Sequence, residues 1–201
     1  MAIEIPKFPE LAFEETSHTY RLKGMVIPSV TTLMKPLSQT YYREADPDVL
    51  ARAAARGTAV HEACENYALF GIDDCPPEFL GYFTGFKKWW DKKKPEVLGV
   101  ECRVYHKQLM YAGTSDLICK IGDEVTLVDY KTTSAVSDML CSVQLEGYAR
   151  AWESHGFKVD SRKILHLKSN GNYAEHQYPR NVECWQVFSA CGTLRNYMNK
   201  F

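Results

Sequence analysis

Gly113-Thr114-Ser115-Asp116-Leu117-Ile118 and, after a short turn, Leu127-Val128-Asp129-Tyr130-Lys131-Thr132 decide how this chain is read. Both are apolar, strand-like runs joined through Ile121-Gly122-Asp123-Glu124, and each carries an aspartate at its polar end. Side chains alternate along a strand, so Asp129 and Lys131 share a face. Pairing of the two runs as a hairpin brings Asp116 towards Asp129. Two close carboxylates repel each other unless a cation lies nearby. The stretch therefore predicts a divalent-metal site with a lysine held beside it.

Just before it, residues 97–107 read as a strand in which Val100, Cys102 and Val104 alternate with Glu101 and Arg103. That places Glu101 on the polar side of a neighbouring strand. Further upstream, residues 47–70 turn helical, with Leu50, Ala53, Ala54, Gly57, Val60, His61, Cys64 and Ala68 marking one face. Gly57 costs a helix about 1 kcal/mol against alanine, so it signals close approach of a strand or a ligand. His61 lies on the buried face, with Glu65 as its i+4 neighbour. A lone histidine there is more often a packed core residue than a ligand, and the two aspartates downstream are what favour the ligand reading. After Thr132-Thr133-Ser134 a second helical stretch runs through Ser154, with Met139, Leu140, Val143, Gly147 and Ala151 on its core side. Gln144, Tyr148 and Trp152, four apart, share one face, and Gly156 stops the helix.

The remaining segments supply a frame. Residues 1–12 read as irregular, broken by Pro6 and Pro9. A small hairpin turns at Lys23-Gly24, and a short helix over 30–35 is opened by Ser29, as a cap or as a phosphate contact. Residues 78–93 form a helix with a core stripe of Leu80, Phe83, Phe86, Lys87 and Trp90. Its Lys87, Lys88, Lys92, Lys93 and Lys94 lie beside Trp89 and Trp90, either a track for single-stranded nucleic acid or a solvated lysine face over core tryptophans. A strand at 162–168, an Asn170-Gly171 turn, a strand at 173–178 and a helix at 182–198 complete the chain. Helix, three strands, helix, strand pair, helix is an α/β layout: a mixed central sheet flanked by helices. It is expected as one domain over 1–201, with 1–46 packed on a 47–201 core.

The 201 residues, 45% hydrophobic and 24% charged with a net charge of -1, suit a globular chain and point to no strongly basic partner surface. Seven scattered cysteines with no C-x-x-C pair fit reduced thiols in a cytoplasmic protein. No run approaches the ~20 apolar residues that span a bilayer, and the N-terminus lacks a signal pattern, so no membrane association is expected. The absence of G-x-G-x-x-G, a Walker loop and G-x-S-x-G removes dinucleotide, nucleotide-triphosphatase and serine-hydrolase chemistry.

The hard oxygens of Asp116 and Asp129, with the Tyr130 carbonyl, suit Mg²⁺ or Mn²⁺, one or two ions, and a neutral His61 favours tolerance of Mn²⁺. Glu101 is placed for a second metal or its waters. Lys131 could orient a water or stabilise charge on phosphorus.

With these residues in place, the chain resembles the RecB-like branch of the PD-(D/E)xK nuclease superfamily, in particular its small stand-alone phage-type exonucleases. The resemblance is carried by Gly57-Thr58-Ala59-Val60-His61, Gly113-Thr114-Ser115-Asp116, Leu127-Val128-Asp129-Tyr130-Lys131-Thr132 and Gln144-x-x-x-Tyr148, in order over about residues 50–155. Pro28-Ser29-Val30-Thr31 resembles a further segment of the small phage-type and mitochondrial exonucleases. The resemblance implies a restriction-endonuclease-like core in which His61, Asp116, Asp129 and the Tyr130 carbonyl bind metal, with Glu101 and Glu65 as further candidates. It implies that Lys131 is catalytic and that Gln144 and Tyr148 shape the site and contact the scissile strand. Ser29, Thr31, Thr58, Thr132, Lys87 and Lys88 are candidate DNA contacts. Iron–sulfur members of the branch carry a clustered C-terminal cysteine trio; Cys184 and Cys191 lack a third partner, so no cluster is expected. The implied activity is metal-dependent exonucleolytic cleavage of linear DNA, single-stranded or with a free end, in phage or cellular recombination and repair, in the host cytoplasm if the chain is phage-encoded, with a single-strand-annealing or other recombination partner. The alternatives are a structure-specific or restriction-like endonuclease and an inactive DNA-end-binding protein.

Overall fold

The computed structural model describes residues 3–43 and 46–200. Its N-terminal part is an antiparallel three-stranded sheet, β1 (Leu11–Glu14), β2 (Thr19–Leu22) and β3 (Met25–Ile27). Lys23 and Gly24 both take positive φ (50° and 83°), as a tight hairpin turn requires. β1 corrects the expectation of irregular chain through residue 12: Leu11 pairs with Leu22 and both are buried. α1 (Val30–Leu33) starts at Ser29, whose Oγ accepts the Thr32 N–H at 2.9 Å. The helix expected over 30–35 is in fact two, because α2 (Lys35–Tyr41) follows directly. Pro36 sits in its first turn, where no backbone donor is needed.

α3 (Pro47–Phe70) has the expected bounds, capped by Asp46 and closed by Gly71 at φ 68°. A 3-10 turn at Pro77–Phe79 leads into α4 (Leu80–Lys93). The main sheet follows: β4 (Glu96–Tyr105), β5 (Ala112–Ile121), β6 (Glu124–Lys131), then α5 (Asp138–Ser154), β7 (Ser161–Leu167) and β8 (Tyr173–Gln177), with α6 (Val182–Met198) last. The strands lie in the order β4-β5-β6-β7-β8. All neighbours are antiparallel except β6 and β7, whose parallel pairing is what the α5 crossover permits. This mixed sheet flanked by helices is the layout expected from the sequence.

Both faces of the sheet are covered, which explains the near-continuous apolar strings of β5 and β6. Ile118, Leu127 and Ile164 pack towards α5 and α6 with Leu145, Trp152 and Phe188. Leu117, Val128, Tyr130 and Leu165 pack with Val60, Cys64, Phe83, Phe86 and Trp89 from α3 and α4. Four expected core positions are on the surface instead: Leu50, Ala54, Leu80 and Met139. All lie in the N-terminal parts of their helices, before the helix has settled onto the sheet.

α4 approaches the β7–β8 hairpin through two glycines one turn apart. A Cβ at Gly81 would lie 1.8 Å from the Ser169 carbonyl oxygen, and one at Gly85 would lie 2.6 Å from that of Asn172. Neither clash can be relieved by a side-chain rotation. Gly85→Ala is therefore expected to destabilise the fold by about 1–3 kcal/mol despite alanine's better helix propensity. Urea denaturation reads this directly; an unchanged or higher midpoint would contradict the packing described.

Candidate active site

The β5–β6 ladder runs from Ile121↔Glu124 to Leu117↔Val128 and ends there. The next positions in register are Asp116 and Asp129. At this point the Asp116 carboxylate takes over from the backbone: its Oδ2 accepts the Tyr130 N–H at 2.7 Å. On the other side, Glu101 lies between the Val100↔Leu117 and Cys102↔Ser115 pairs, across from Asp116, with φ at 48°. A left-handed residue other than glycine costs roughly 1–2 kcal/mol, and such strain tends to collect at functional sites.

His61 reaches the same point from α3. Its Nδ1 is 3.5 Å from Asp116 Oδ2 and its Nε2 is 3.1 Å from the Tyr130 carbonyl oxygen. One ligand atom each from His61, Glu101 and Asp116 lie within 4.8 Å of one another. Burial pushes the Glu101 pKa up to about 8, reinforced by Asp116, Glu65 and Asp129 and only partly offset by Arg103. Burial also raises Asp116 to about 6; Asp129 adds to this, while His61, Lys131 and the Tyr130 N–H oppose it. One nitrogen and two carboxylates so close together, the carboxylates raised by burial, fit a hard divalent ion.

Asp129 is buried and faces α5. Its Oδ1 accepts Gln144 Nε2 at 3.2 Å, and the same amide reaches the Tyr148 hydroxyl at 3.4 Å. Its Oδ2 lies 2.5 Å from the Lys131 ammonium. Burial works against the Lys131 charge, but Asp129 and Asp116 outweigh it and hold the pKa above the usual lysine range. This lysine is a cation at neutral pH, suited to stabilising negative charge rather than to taking a proton.

Two braces of the motif have no local signal, because the partners are far apart in sequence. The Tyr20 hydroxyl lies 2.7 Å from Thr114 Oγ1, 94 residues away, and Trp152 Nε1 donates to the buried Ser115 Oγ at 3.0 Å. Gly113 is explained by packing, since a Cβ there would come within 2.4 Å of the Tyr148 ring. Gly57 is not: a Cβ would meet only Thr132 Oγ1 at 3.9 Å, an ordinary contact, so no strand demands this glycine.

The other candidates are scattered. Glu65, one turn beyond His61, acts on Glu101 through its charge and stands outside the three-ligand cluster. Ser29 caps α1 and bridges to Ala112 at the start of β5, and Thr31 lines a cleft of about 350 Å³ together with Lys131 and Gln144. Thr132 is buried, with its Oγ1 3.4 Å from Arg56 Nε. Thr58 is exposed and donates to the Ala54 carbonyl within its own helix. Lys87 and Lys88 correct the reading of α4 as a nucleic-acid track: Lys87 pairs with Asp73 at 2.6 Å and Lys88 donates to the Gly171 carbonyl at 2.7 Å. Trp89 is fully buried and donates to Glu175, which also pairs with Lys93. Lys87, Lys88 and Lys93 are thus committed to structural partners and Trp89 to the core, while Lys92 and Lys94 are exposed.

No family model matches the chain, and no curated protein matches it in sequence. Among solved structures it is similar to an alkaline exonuclease (LHK-Exo) from Laribacter hongkongensis, at 12% identity and a TM-score of 0.43 over 74% of this chain and 95% of that one. It is also similar to the protein SSO0001, at 9% identity and a TM-score of 0.38 over 81% of this chain and 84% of that one. Among the described residues, no helix is long and apolar enough to cross a membrane.

Proposed function

We propose that this chain is a divalent-metal-dependent deoxyribonuclease that hydrolyses phosphodiester bonds from DNA ends. The observation that carries the reading is the convergence, where the β5–β6 ladder ends, of His61, Glu101 and Asp116 within 4.8 Å, beside a charged lysine held by Asp129. His61, Glu101, Asp116 and the Tyr130 carbonyl would hold Mg²⁺ or Mn²⁺, with Asp129 beside them as a further ligand and Glu65 adding charge behind Glu101. Such an ion, when bound, polarises a phosphoryl oxygen and lowers the pKa of a coordinated water. Lys131 places its positive charge where negative charge builds up on phosphorus and orients the attacking water. Gln144 holds Asp129, and thereby Lys131, in place; Tyr148 fixes Gln144. Ser29, Thr31, Thr58 and Thr132 remain candidates for phosphate contacts. The resemblance of Pro28-Ser29-Val30-Thr31 to small stand-alone exonucleases favours action at ends, in phage or cellular recombination or repair.

Closed-circular and linear DNA of the same sequence test the end requirement. With Mn²⁺, linear molecules should be degraded and closed circles of either strandedness left intact; cutting of circles would make the chain an endonuclease on the same site.

Metal binding should depend on pH. Glu101 and Asp116 have raised pKa values in the metal-free protein, so a cation must displace the protons they retain. Mn²⁺ affinity is expected to rise from pH 6 to pH 8.5, with proton release seen by calorimetry in buffers of different ionisation enthalpy. For the same reason Glu101 and Asp116 hold more protons in the folded metal-free protein than in the unfolded chain, from the ordinary carboxylate range up to about pH 8. Their contribution to stability should therefore fall as pH rises through that window, and saturating Mn²⁺ should remove that part of the pH dependence. A pH-independent Mn²⁺ affinity would rule out these two carboxylates as ligands.

A further inference from the structure

A second and larger cleft, of about 690 Å³, opens directly beyond Lys131. Its floor is the Thr132–Ala135 segment that follows the lysine, and Tyr42, Thr133 and Ala135 also line the smaller cleft containing Lys131 and Gln144. The two thus form one trough. His166 lies 2.7 Å from the Thr133 carbonyl through its Nε2, fixing that floor to β7.

The chemistry of the larger cleft is one-sided. Arg52 and Arg56 enter it from α3 and Lys168 from the end of β7, and no carboxylate lines it among the described residues. In a chain with a net charge of -1 this is a local concentration of positive charge. Among the described residues the Arg52 and Lys168 side chains make no ion pair or hydrogen bond, and both are exposed. They contrast with Lys87, Lys88 and Lys93, which all have partners in the fold. Three tyrosines share the cleft. Tyr41 and Tyr42 are 49% and 40% exposed, and Tyr82 lies under the Arg56 guanidinium at 5.4 Å.

The free Arg52 and Lys168 and the exposed Tyr41 and Tyr42, with the half-buried Arg56–Tyr82 pair beside them, fit a strand whose phosphates and bases are both accessible. Duplex DNA buries its base faces in the stack and could use only the cations. We propose that this cleft binds an unpaired DNA strand, with Arg52, Arg56 and Lys168 on its phosphates and Tyr41, Tyr42 and Tyr82 against its bases, continuous with the strand at Lys131. The inference rests on the nuclease reading for its substrate and adds the form in which that substrate is held.

Anisotropy of a labelled oligothymidylate, in EDTA to prevent hydrolysis, tests the binding against a blunt duplex of equal length. The wild-type chain should bind the single strand more tightly. Arg52→Ala with Lys168→Ala should weaken single-strand binding about tenfold or more and flatten its log–log salt slope by about 1.4, from two lost phosphate contacts at roughly 0.7 each. Tyr41→Ala with Tyr42→Ala should weaken single-strand binding by a similar factor and leave duplex binding unchanged. All four residues are exposed, so circular dichroism should show folded variants. Equal affinity for single strand and duplex, or unchanged single-strand affinity in both folded double variants, would overturn the proposal. Hydrolysis of the p-nitrophenyl ester of thymidine 5′-monophosphate with Mn²⁺ separates the two readings, because so small a substrate does not reach along the cleft. Its hydrolysis should be the same in wild type and all cleft variants. No hydrolysis together with selective single-strand binding would leave the cleft standing and remove the nuclease.

Discussion

Asp116→Asn should abolish metal-dependent DNA hydrolysis, with a loss of about a thousandfold or more, while the protein stays folded. The amide keeps an oxygen that can accept the Tyr130 N–H now taken by Asp116 Oδ2 at 2.7 Å, so the end of the β5–β6 ladder need not move. The negative charge is lost, and with it the centre of the His61–Glu101–Asp116 cluster. Losing one preorganised electrostatic contact typically costs a factor of 10² to 10³ in rate, and metal-based stabilisation is worth several kcal/mol. Lys131→Met is the informative companion. It should reduce hydrolysis by about a hundred- to a thousandfold yet leave Mn²⁺ binding in place, because Lys131 sits on Asp129 at 2.5 Å and outside the three-ligand cluster. Calorimetric Mn²⁺ titration of both variants reads the difference. Loss of Mn²⁺ binding in the lysine variant, or its retention in Asp116→Asn, would reverse the assigned roles.

The largest expected stability effect lies away from this site. Glu146 on α5 is 1% exposed and Arg162 on β7 is 3% exposed, and the two are bonded in the core. Glu146 Oε1 also accepts Arg150 Nε at 2.9 Å and faces Arg180 at 3.4 Å, while Arg180 in turn pairs with Glu153. Burial tends to raise the Glu146 pKa, but Arg162, Arg150 and Arg180 outweigh it and hold the carboxyl below its usual range. The ion pair itself adds little net stability, since desolvating both charges offsets their attraction. Breaking it is a different matter, because among the described residues Arg162 pairs with no other acid. Glu146→Gln is expected to cost about 3–5 kcal/mol, on the order of 10 °C in Tm for a chain of this size. Adding Arg162→Leu to Glu146→Gln should recover part of that loss, since the second change removes the stranded charge. A Glu146→Gln midpoint within about 1 kcal/mol of wild type would show that the arginines re-partner.

The placement of the candidate site's groups was legible because they lie on elements whose periods can be read. Alternation put Asp129 and Lys131 on one face, and the helical period put His61 on the face of α3 that meets the sheet. Their meeting then needed only that β5 and β6 pair. Glu101 was placed on the correct strand, but its left-handed backbone has no local cue, since nothing in Val100-Glu101-Cys102 announces a positive φ. Tyr20 on Thr114 and Trp152 on Ser115 could not be seen for a related reason: long-range hydrogen bonds leave no spacing pattern. The lysines of α4 left two readings open because density of charge says nothing about partners. Asp73, Glu175 and the Gly171 carbonyl, all from other segments, engage Lys87, Lys93 and Lys88, whereas among the described residues the less conspicuous Arg52 and Lys168 are left free. β1 and α2 were missed as well, one being four residues long and the other carrying a proline in its first turn, where proline is tolerated.

Purified wild-type protein incubated with end-labelled linear DNA and Mn²⁺, beside Asp116→Asn and Lys131→Met prepared in the same way, tests the account most directly. Degradation by the wild type alone, stopped by EDTA, is the result it predicts. No hydrolysis of any single- or double-stranded substrate by the wild type, or equal hydrolysis by all three preparations, would contradict it.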